Sequence, residues 1–207
     1  MQYGFLYAAI NFMVENLRWL NLVEYLKRAS HLFINNATRT GDKEKKAERI
    51  AVDIFIVLKW VFVALTVCFN WNYPVVTFIL WYLIITNAYT YLYYHVWDKA
   101  SMDTENFKIT RVRRRFMNLI LAVGFSNVSF ASLYRYRYYD NFQWTNGADS
   151  FSGALWYSFS NSITSSYAPI TTCDDMGIRI SLIQLFLSFV FLTIILAKSM
   201  PQTTSTT

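Results

Sequence analysis

Four long apolar segments constrain this chain more than any other feature of its sequence. They cover residues 50–69, 74–96, 116–134 and 180–197. An α-helix rises about 1.5 Å per residue, so roughly 20 apolar residues cross the hydrocarbon core of a bilayer. The last three segments contain no Asp, Glu, Lys or Arg, and the first contains only Asp53 and Lys59. The sequence therefore predicts an all-α membrane protein with four transmembrane helices.

The composition excludes the soluble and the disordered classes of protein. Charged residues make up 15% of the 207 residues, aromatic residues 19% and hydrophobic residues 55%. A soluble domain usually carries about a quarter charged residues, and a disordered chain contains few aromatic ones. The basic residues lie beside the apolar segments, which favours contact with a membrane surface over contact with nucleic acid.

The sequence contains no motif for catalysis or metal binding. It has no phosphate-binding loop, no zinc-protease helix and no nucleophile elbow. Cys68 and Cys173 are too few for a disulfide framework or a zinc cluster, and their spacing does not demand a disulfide. His31 and His95 lie far apart along the chain. We therefore expect no enzyme activity, no catalytic residue, no cofactor and no bound metal.

The distribution of charge predicts the orientation of the four spans. Residues 1–50 hold eight basic and five acidic residues, and residues 97–115 hold six basic and three acidic ones. Residues 135–179 hold three Arg and four Asp. Basic loops stay in the cytoplasm. We therefore expect a multi-pass protein of the cell membrane with both termini inside, and anionic lipid bound at the basic 97–115 loop.

The N-terminal segment has the pattern of an amphipathic helix. Its apolar residues recur at four- and three-residue spacing, on one side of a helix. They are Leu6, Ile10, Met13, Leu17 and Leu20. Residues 1–14 contain no basic residue, so this is not a signal peptide. Two interpretations stay open: a helix lying in the membrane interface, and a cytoplasmic helix packed on its neighbours in an oligomer.

A half-length apolar segment lies between the third and fourth spans. Residues 151–163 would extend only ~20 Å as a helix, which is too short to cross ~30 Å of hydrocarbon. The polar residues Thr164–Pro169 follow. Irregular backbone at membrane depth is tolerated only where it is buried in protein or lines a water-filled cavity. The sequence therefore predicts a re-entrant helix followed by a loop.

The residues of this segment carry a specific resemblance. They read Ala-Leu-Trp-Tyr-Ser-Phe-Ser-Asn-Ser-Ile-Thr-Ser-Ser-Tyr-Ala-Pro-Ile from Ala154 to Ile170, and Gly177-Ile-Arg and an apolar helix follow. This order is similar to the pore module of the potassium channel family, in which an outer helix, a pore helix, a filter and an inner helix form one quarter of a tetrameric pore. The resemblance covers residues 116–198. It implies that Thr164, Tyr167 and Gly177 take the places of the filter Thr, the filter Tyr and the glycine that starts the inner helix.

The filter-like segment departs from the family pattern. The family has Thr-Val-Gly-Tyr-Gly-Asp, where this chain has Thr164-Ser165-Ser166-Tyr167-Ala168-Pro169. The glycines of the family allow left-handed backbone, so that successive carbonyls face the pore axis. A non-glycine residue in that conformation costs roughly 1–2 kcal/mol. The resemblance therefore implies that Thr164–Ala168 form the ion-binding segment, with weak or altered selectivity.

The resemblance also implies roles for residues around the filter. Ser188 takes the place of the glycine hinge of the inner helix. Leu192 and Leu196 follow at four-residue spacing, as residues of a cavity and of a hydrophobic gate that closes by dewetting; the alternative is ordinary packing between helices. Asp174 and Asp175 lie at the outer mouth, where they either concentrate cations or form a solvated rim.

The expected organisation has four parts. They are a cytoplasmic amphipathic helical segment (1–46), a two-helix membrane hairpin with a basic loop (47–115), a pore module (116–198) and a disordered cytoplasmic tail (199–207). The resemblance implies a subunit of a homotetrameric channel for monovalent cations, K⁺ foremost. The alternatives are a non-conducting pore-fold membrane protein that acts in assembly, signalling or partner binding, and a hetero-subunit that works only beside a partner with an intact filter.

Overall fold

The structure is a computed structural model that describes residues 4–32, 41–97 and 109–199. The helices are α1 (Phe5–Leu17), α2 (Leu22–Leu32), α3 (Gly41–Cys68), α4 (Pro74–Leu92), α5 (Ile109–Ser132), α6 (Phe151–Ser162) and α7 (Asp175–Ser199). The strands are β1 (Phe142–Trp144) and β2 (Ile170–Thr172). Two compact units divide the chain, and their boundary follows Phe62.

Among the described residues, four helices are long and apolar enough to cross a membrane, as the sequence predicts. They are Lys46–Cys68, Pro74–Leu92, Arg113–Arg137 and Asp175–Ile194. Each overlaps one of the four apolar segments, so the chain is a multi-pass membrane protein. The inside location of the termini stays a prediction. Most of the basic loop (98–108) and of the tail (200–207) lies outside the described residues.

The N-terminal unit corrects one expectation about the amphipathic helix. The sequence pattern extends a single apolar side to Leu20, but α1 ends at Leu17 and a 3-10 turn covers Arg18–Leu20. The backbone is extended at Asn21, whose side chain accepts a hydrogen bond from the Val23 amide (3.1 Å). An Asn that accepts from the second following N–H is a typical helix N-cap. A turn therefore separates α1 from α2.

The second unit packs α4, α5 and α7 around an apolar core. Its buried members are Ala88, Tyr91, Leu119, Ala122, Phe191 and Ile194. Polar side chains join the same helices: Asn87 donates to the Ala122 carbonyl (3.0 Å), and the Tyr91 hydroxyl donates to the Asn118 carbonyl (2.7 Å). Water is absent from a bilayer core, so such groups must find partners within the protein.

A two-stranded antiparallel sheet lies between the C-terminal end of α5 and the N-terminal end of α7 in the chain order, with α6 inserted between its strands. Strands β1 and β2 are antiparallel, with Phe142 opposite Thr172 and Trp144 opposite Ile170. Phe142 also packs edge-on against two aromatic rings, those of Tyr134 (5.0 Å between centroids) and Tyr157 (5.5 Å). Edge-to-face pairs of this kind contribute about 0.5–1.5 kcal/mol each beyond area burial. The sheet is thereby fixed to the π-helical turn that follows α5 (Leu133–Arg137) and to α6.

Close backbone contact fixes the start of α7 against the same region. A Cβ at Gly177 would lie 2.5 Å from the Asn141 carbonyl oxygen, which is closer than real Cβ atoms approach. The Cys173 amide donates to that same carbonyl (2.9 Å). Only glycine therefore allows the first turn of α7 to lie this near the turn before β1.

Candidate functional site

The half-length helix predicted from the sequence is present as α6. It covers Phe151–Ser162, 12 residues, and its N-cap is Ser150, whose side chain accepts a hydrogen bond from the Gly153 amide (3.1 Å). A helix of this length extends about 18 Å, well short of a bilayer core. Helix α6 packs against both α5 and α7. Its depth in a membrane stays a prediction.

A buried polar network holds α6 between α5 and α7, and Gln184 of α7 is its centre. Gln184 is completely buried. Its Nε2 donates toward the Asn127 Oδ1 (3.1 Å) and toward Ser158, at the carbonyl oxygen (2.9 Å) and at Oγ (2.6 Å). Its Oε1 accepts from the Tyr134 hydroxyl (2.6 Å) and from Asn161 Nδ2 (3.0 Å). Both ends of one amide are therefore satisfied by residues of three elements.

Two further bonds extend this network along α6. Ser158 Oγ donates to the Asn127 carbonyl (2.8 Å), and Asn161 Nδ2 also donates to the Ser181 carbonyl (2.9 Å). Tyr157 and Ser181 share a hydrogen bond between their hydroxyls (3.0 Å). A fully satisfied polar network inside a low-dielectric environment fixes one arrangement of the helices it joins. The C-terminal half of α6 therefore has a defined position and orientation.

The C-terminal end of α6 is a Schellman motif built on Thr164. The Ser165 amide donates to the Ser160 carbonyl (2.8 Å), and the Thr164 amide donates to the Asn161 carbonyl (3.1 Å). Thr164 has φ +60°, the left-handed conformation that this motif requires and that glycine usually supplies. For a β-branched residue this conformation is strained. Thr164 therefore ends the helix, in addition to its place at the start of the filter-like segment.

The backbone of the filter-like segment differs from the geometry that the resemblance implies. Neither Ser166 nor Ala168 belongs to the described residues with positive φ. The Pro169 carbonyl accepts from both the amide (2.8 Å) and the hydroxyl (3.0 Å) of Thr145. That carbonyl is consequently held by the residue that follows β1, and the strain expected of left-handed residues at positions 166 and 168 does not arise here.

An apolar cavity of about 780 Å³ lies beside the end of α6 and along α7. It brings together three of the sequence-predicted residues, Thr164, Ser188 and Leu192. The other lining residues are Val123, Ser162, Ile163, Leu182, Leu185, Phe186, Phe189 and Phe191. Leu196 belongs to the same helix, but its side chain is outside the described part of the chain. The remaining filter residues, 165–168, do not line this cavity.

Asp174 and Asp175, which the resemblance puts at an outer mouth, have distinct structural roles. Asp174 Oδ1 accepts from the Gly177 amide (2.8 Å), and its Oδ2 accepts from Asn141 Nδ2 (2.6 Å). Asp174 is therefore the N-cap of α7 and also contacts the turn before β1. These hydrogen bonds, first that of Gly177, hold the pKa of the Asp174 carboxyl below its ordinary value. Asp175 is exposed in the first turn of α7, where a negative charge favours the helix dipole.

Other sequence-derived expectations have simple outcomes in the described residues. Cys68 and Cys173 are both exposed free thiols. No group of three His, Cys, Asp or Glu able to hold a metal ion occurs among the residues that the structure describes. Sequence reasoning missed Gln184, Ser158 and Asn161. The available signal was polar side chains inside otherwise apolar helices, which are costly in a membrane unless they are paired.

No protein-family model matches this chain, and neither a curated protein nor a solved structure is detectably similar to it. The resemblance to the potassium channel pore module therefore stays a prediction from the residues.

Proposed function

We propose that this chain is a subunit of a potassium-channel-like, homotetrameric cation channel with weak or altered selectivity. The observation that carries the proposal is the arrangement of α5, α6 and α7: a half-length helix fixed by a buried polar network and ending beside a cavity. A polar helix end and irregular backbone at membrane depth require protein or water around them. A water-filled path at the centre of several copies meets that requirement.

The assembly follows from the number of pore segments. Each chain contributes one half-length helix and one loop, and a single copy does not enclose an ion path. A closed cyclic ring of four subunits, as in the family resembled, does. The alternative assembly places this chain beside a different subunit with an intact filter. Native mass spectrometry in mild detergent distinguishes these states: we expect a tetramer, and a stable monomer or dimer would contradict the pore.

Cation flux tests conduction directly. The purified protein is reconstituted into liposomes, and K⁺ and Na⁺ fluxes are measured separately. The variant Ser188→Trp places a large side chain in the cavity and is expected to abolish flux. Its matched control is Ile183→Trp, on the same helix at an exposed position outside the cavity lining, which is expected to conduct. Equal flux from both variants would show that the cavity is not on an ion path.

Selectivity is tested at the filter-like segment. The variant with Ser166→Gly, Ala168→Gly and Pro169→Asp restores the family residues and permits left-handed backbone at two positions. It also removes the proline, which lacks a backbone N–H. We expect the reversal potential under opposed K⁺ and Na⁺ gradients to shift toward the K⁺ equilibrium potential. An unchanged reversal potential would mean that residues 164–169 do not act as a filter.

A non-conducting role is the second candidate, and a specific observation favours it. The Pro169 carbonyl accepts two hydrogen bonds from Thr145, so it is held in place beside the two-stranded sheet. A protein of this kind would keep the pore fold for assembly, signalling or partner binding. Absence of flux from a verified tetramer would establish this second candidate over the first.

A further inference from the structure

The first two helices expose an unusually large apolar surface. None of the 13 residues of α1, all of them described, is buried. Phe5 is 85% exposed, Leu6 75%, Phe12 71% and Met13 63%. Contiguous exposed apolar surface of this kind marks an interaction site with protein or membrane. Both interpretations of this segment that the sequence leaves open would account for it.

The apolar surface is much wider than the single side that the sequence spacing indicates. Successive residues of a helix are separated by about 100° around its axis. Phe5 and Phe12 therefore lie roughly 100–120° from Leu6 on one side. Tyr7 lies about 100° from Leu6 on the other side. The polar residues Asn11 and Glu15 occupy the remaining strip, and Asn16 lies within the arc beside Phe5 and Phe12, where its Nδ2 donates to the Phe12 carbonyl (2.8 Å). Apart from this one amide, the apolar arc covers more than half the circumference, which is suited to insertion into the acyl region rather than to packing against one neighbouring helix.

The following turn carries aromatic and basic groups in the order that a membrane interface favours. Trp19 and Tyr25 are exposed, and the Tyr25 hydroxyl donates to the Trp19 carbonyl (2.7 Å). The Arg28 guanidinium lies over the Trp19 ring, 4.5 Å from its centroid. Trp and Tyr are enriched at membrane–water interfaces because one end is apolar and the other polar. An exposed aromatic pair of this kind is suited to the level of the headgroups.

The charge of this turn favours lipid over a second copy of the same chain. Glu24, the only acid between residues 18 and 28, pairs with Arg18 (2.9 Å) and with Lys27 (3.4 Å). Arg28 adds a further positive charge, which leaves residues 18–28 with three basic groups and one acidic group. Two copies meeting through this surface would repel, whereas a layer of anionic headgroups attracts the net positive charge.

We infer that α1 and α2 form a membrane-surface anchor: the apolar arc of α1 inserts among the acyl chains, and the basic side of α2 contacts anionic lipid headgroups. This anchor is independent of ion conduction. It lies before α3 in the chain, whose candidate span begins at Lys46.

Spin-label accessibility in the full-length protein tests the insertion. Cys68 and Cys173 are replaced by Ser, and a single cysteine is introduced and labelled at Met13, with Glu15 as the matched control. These positions are two residues apart, hence ~200° apart around α1 and nearly level along its axis. In liposomes we expect the Met13 label to collide preferentially with oxygen and the Glu15 label with a water-soluble nickel complex, a several-fold difference in the oxygen-to-nickel ratio.

Two results would overturn the insertion. Nickel-dominated collisions at Met13 would place α1 in water, and shelter from both reagents would mean that protein covers it. A second pair, Leu6 and Ala8, lies on the same two sides of α1 and repeats the measurement if one label disturbs the local fold.

The headgroup contact is tested by lipid composition and charge reversal. We expect the oxygen-to-nickel ratio at Met13 to be higher in vesicles of phosphatidylcholine with phosphatidylglycerol than in phosphatidylcholine alone. Lys27→Glu with Arg28→Glu is expected to remove that difference. If the protein that keeps Lys27 and Arg28 gives the same ratio in both kinds of vesicle, the proposed role of the basic residues is wrong.

Discussion

Replacement of Gln184 by leucine is the sharpest test of the network that holds α6. The substitution keeps the approximate size of the side chain but removes both polar ends of the amide. The Tyr134 hydroxyl then loses an acceptor at 2.6 Å, and Asn127 Oδ1 loses a donor at 3.1 Å. Ser158 and Asn161 each keep another partner, since they also donate to the Asn127 and Ser181 carbonyls. The main cost is therefore that of two orphaned groups.

The size of this cost follows from two ranges. A buried polar group that loses its partner costs about 1–3 kcal/mol, so two such groups cost roughly 2–6 kcal/mol. Interhelical hydrogen bonds in membrane proteins average ~0.6 kcal/mol and reach ~1.7 kcal/mol, so two contribute roughly 1–3 kcal/mol. The ranges overlap, and we expect Gln184→Leu to lower the free energy of unfolding by about 2–3 kcal/mol.

Reversible unfolding in mixed micelles, followed by the fluorescence of the seven Trp residues, measures this change. Thr193→Val is the matched control, because Thr193 is an exposed polar residue of the same helix whose hydroxyl donates to its own helix at the Phe189 carbonyl (2.9 Å). We expect little change from it. The double variant with Tyr134→Phe removes both partners of one bond, so its cost should be smaller than the sum of the single costs by about 1 kcal/mol. Strict additivity would refute the interaction between Tyr134 and Gln184.

Three further predictions concern the ends of α6 and α7. Thr164→Gly relieves left-handed strain of roughly 1–2 kcal/mol at a backbone entropy cost of about 0.5–1 kcal/mol, so a net gain of ~1 kcal/mol in unfolding free energy is expected; no gain would contradict the Schellman geometry. Gly177→Ala is expected to lower the melting temperature, because its Cβ would lie 2.5 Å from a backbone oxygen; an unchanged melting temperature would refute the close contact. Asp174→Ala is expected to lower it as well, through loss of the cap. Because the pKa of Asp174 is lowered in the folded state, its contribution is present above the ordinary carboxyl pKa and is lost only as pH falls through the lower folded pKa. The difference in melting temperature between the wild type and Asp174→Ala should therefore persist at mildly acidic pH and shrink in strong acid; a constant difference would contradict a charged cap.

The helices were the predictable part of this fold. Length and apolarity alone specify a membrane span, because the bilayer sets a thickness and removes water from the backbone. The same physics made α6 visible, because its residues are too few to cross the bilayer and too apolar for an exposed loop. The predicted segment, 151–163, differs from the observed helix by one residue.

The two-stranded sheet and the polar network around Gln184 could not be predicted from length and apolarity as the helices were. Each strand has only three residues, and the pairing of Phe142 with Thr172 joins positions 30 apart in the sequence. Such pairing depends on where α6 and α7 bring the chain back, which no local pattern encodes. Gln184 was likewise one of several polar residues in a mostly apolar helix, and only the packing of α6 reveals its partners.

Both ends of the filter-like segment are held by contacts with the rest of the protein. These contacts explain why the loop does not need glycine to keep its ends in place. The N-terminal end follows α6, which the hydrogen bond between Asn161 and Gln184 holds in place. The C-terminal end leads into β2, which pairs with β1. Neither set of contacts uses the side chains of residues 165–168, so their identity has little influence on the position of α6 or α7. The residues at positions 166 and 168 therefore affect the backbone geometry available to the loop, while the helices around it keep their packing. Because the contacts that position α6 and α7 do not use the side chains of residues 165–168, we expect substitutions in this loop to leave the protein folded.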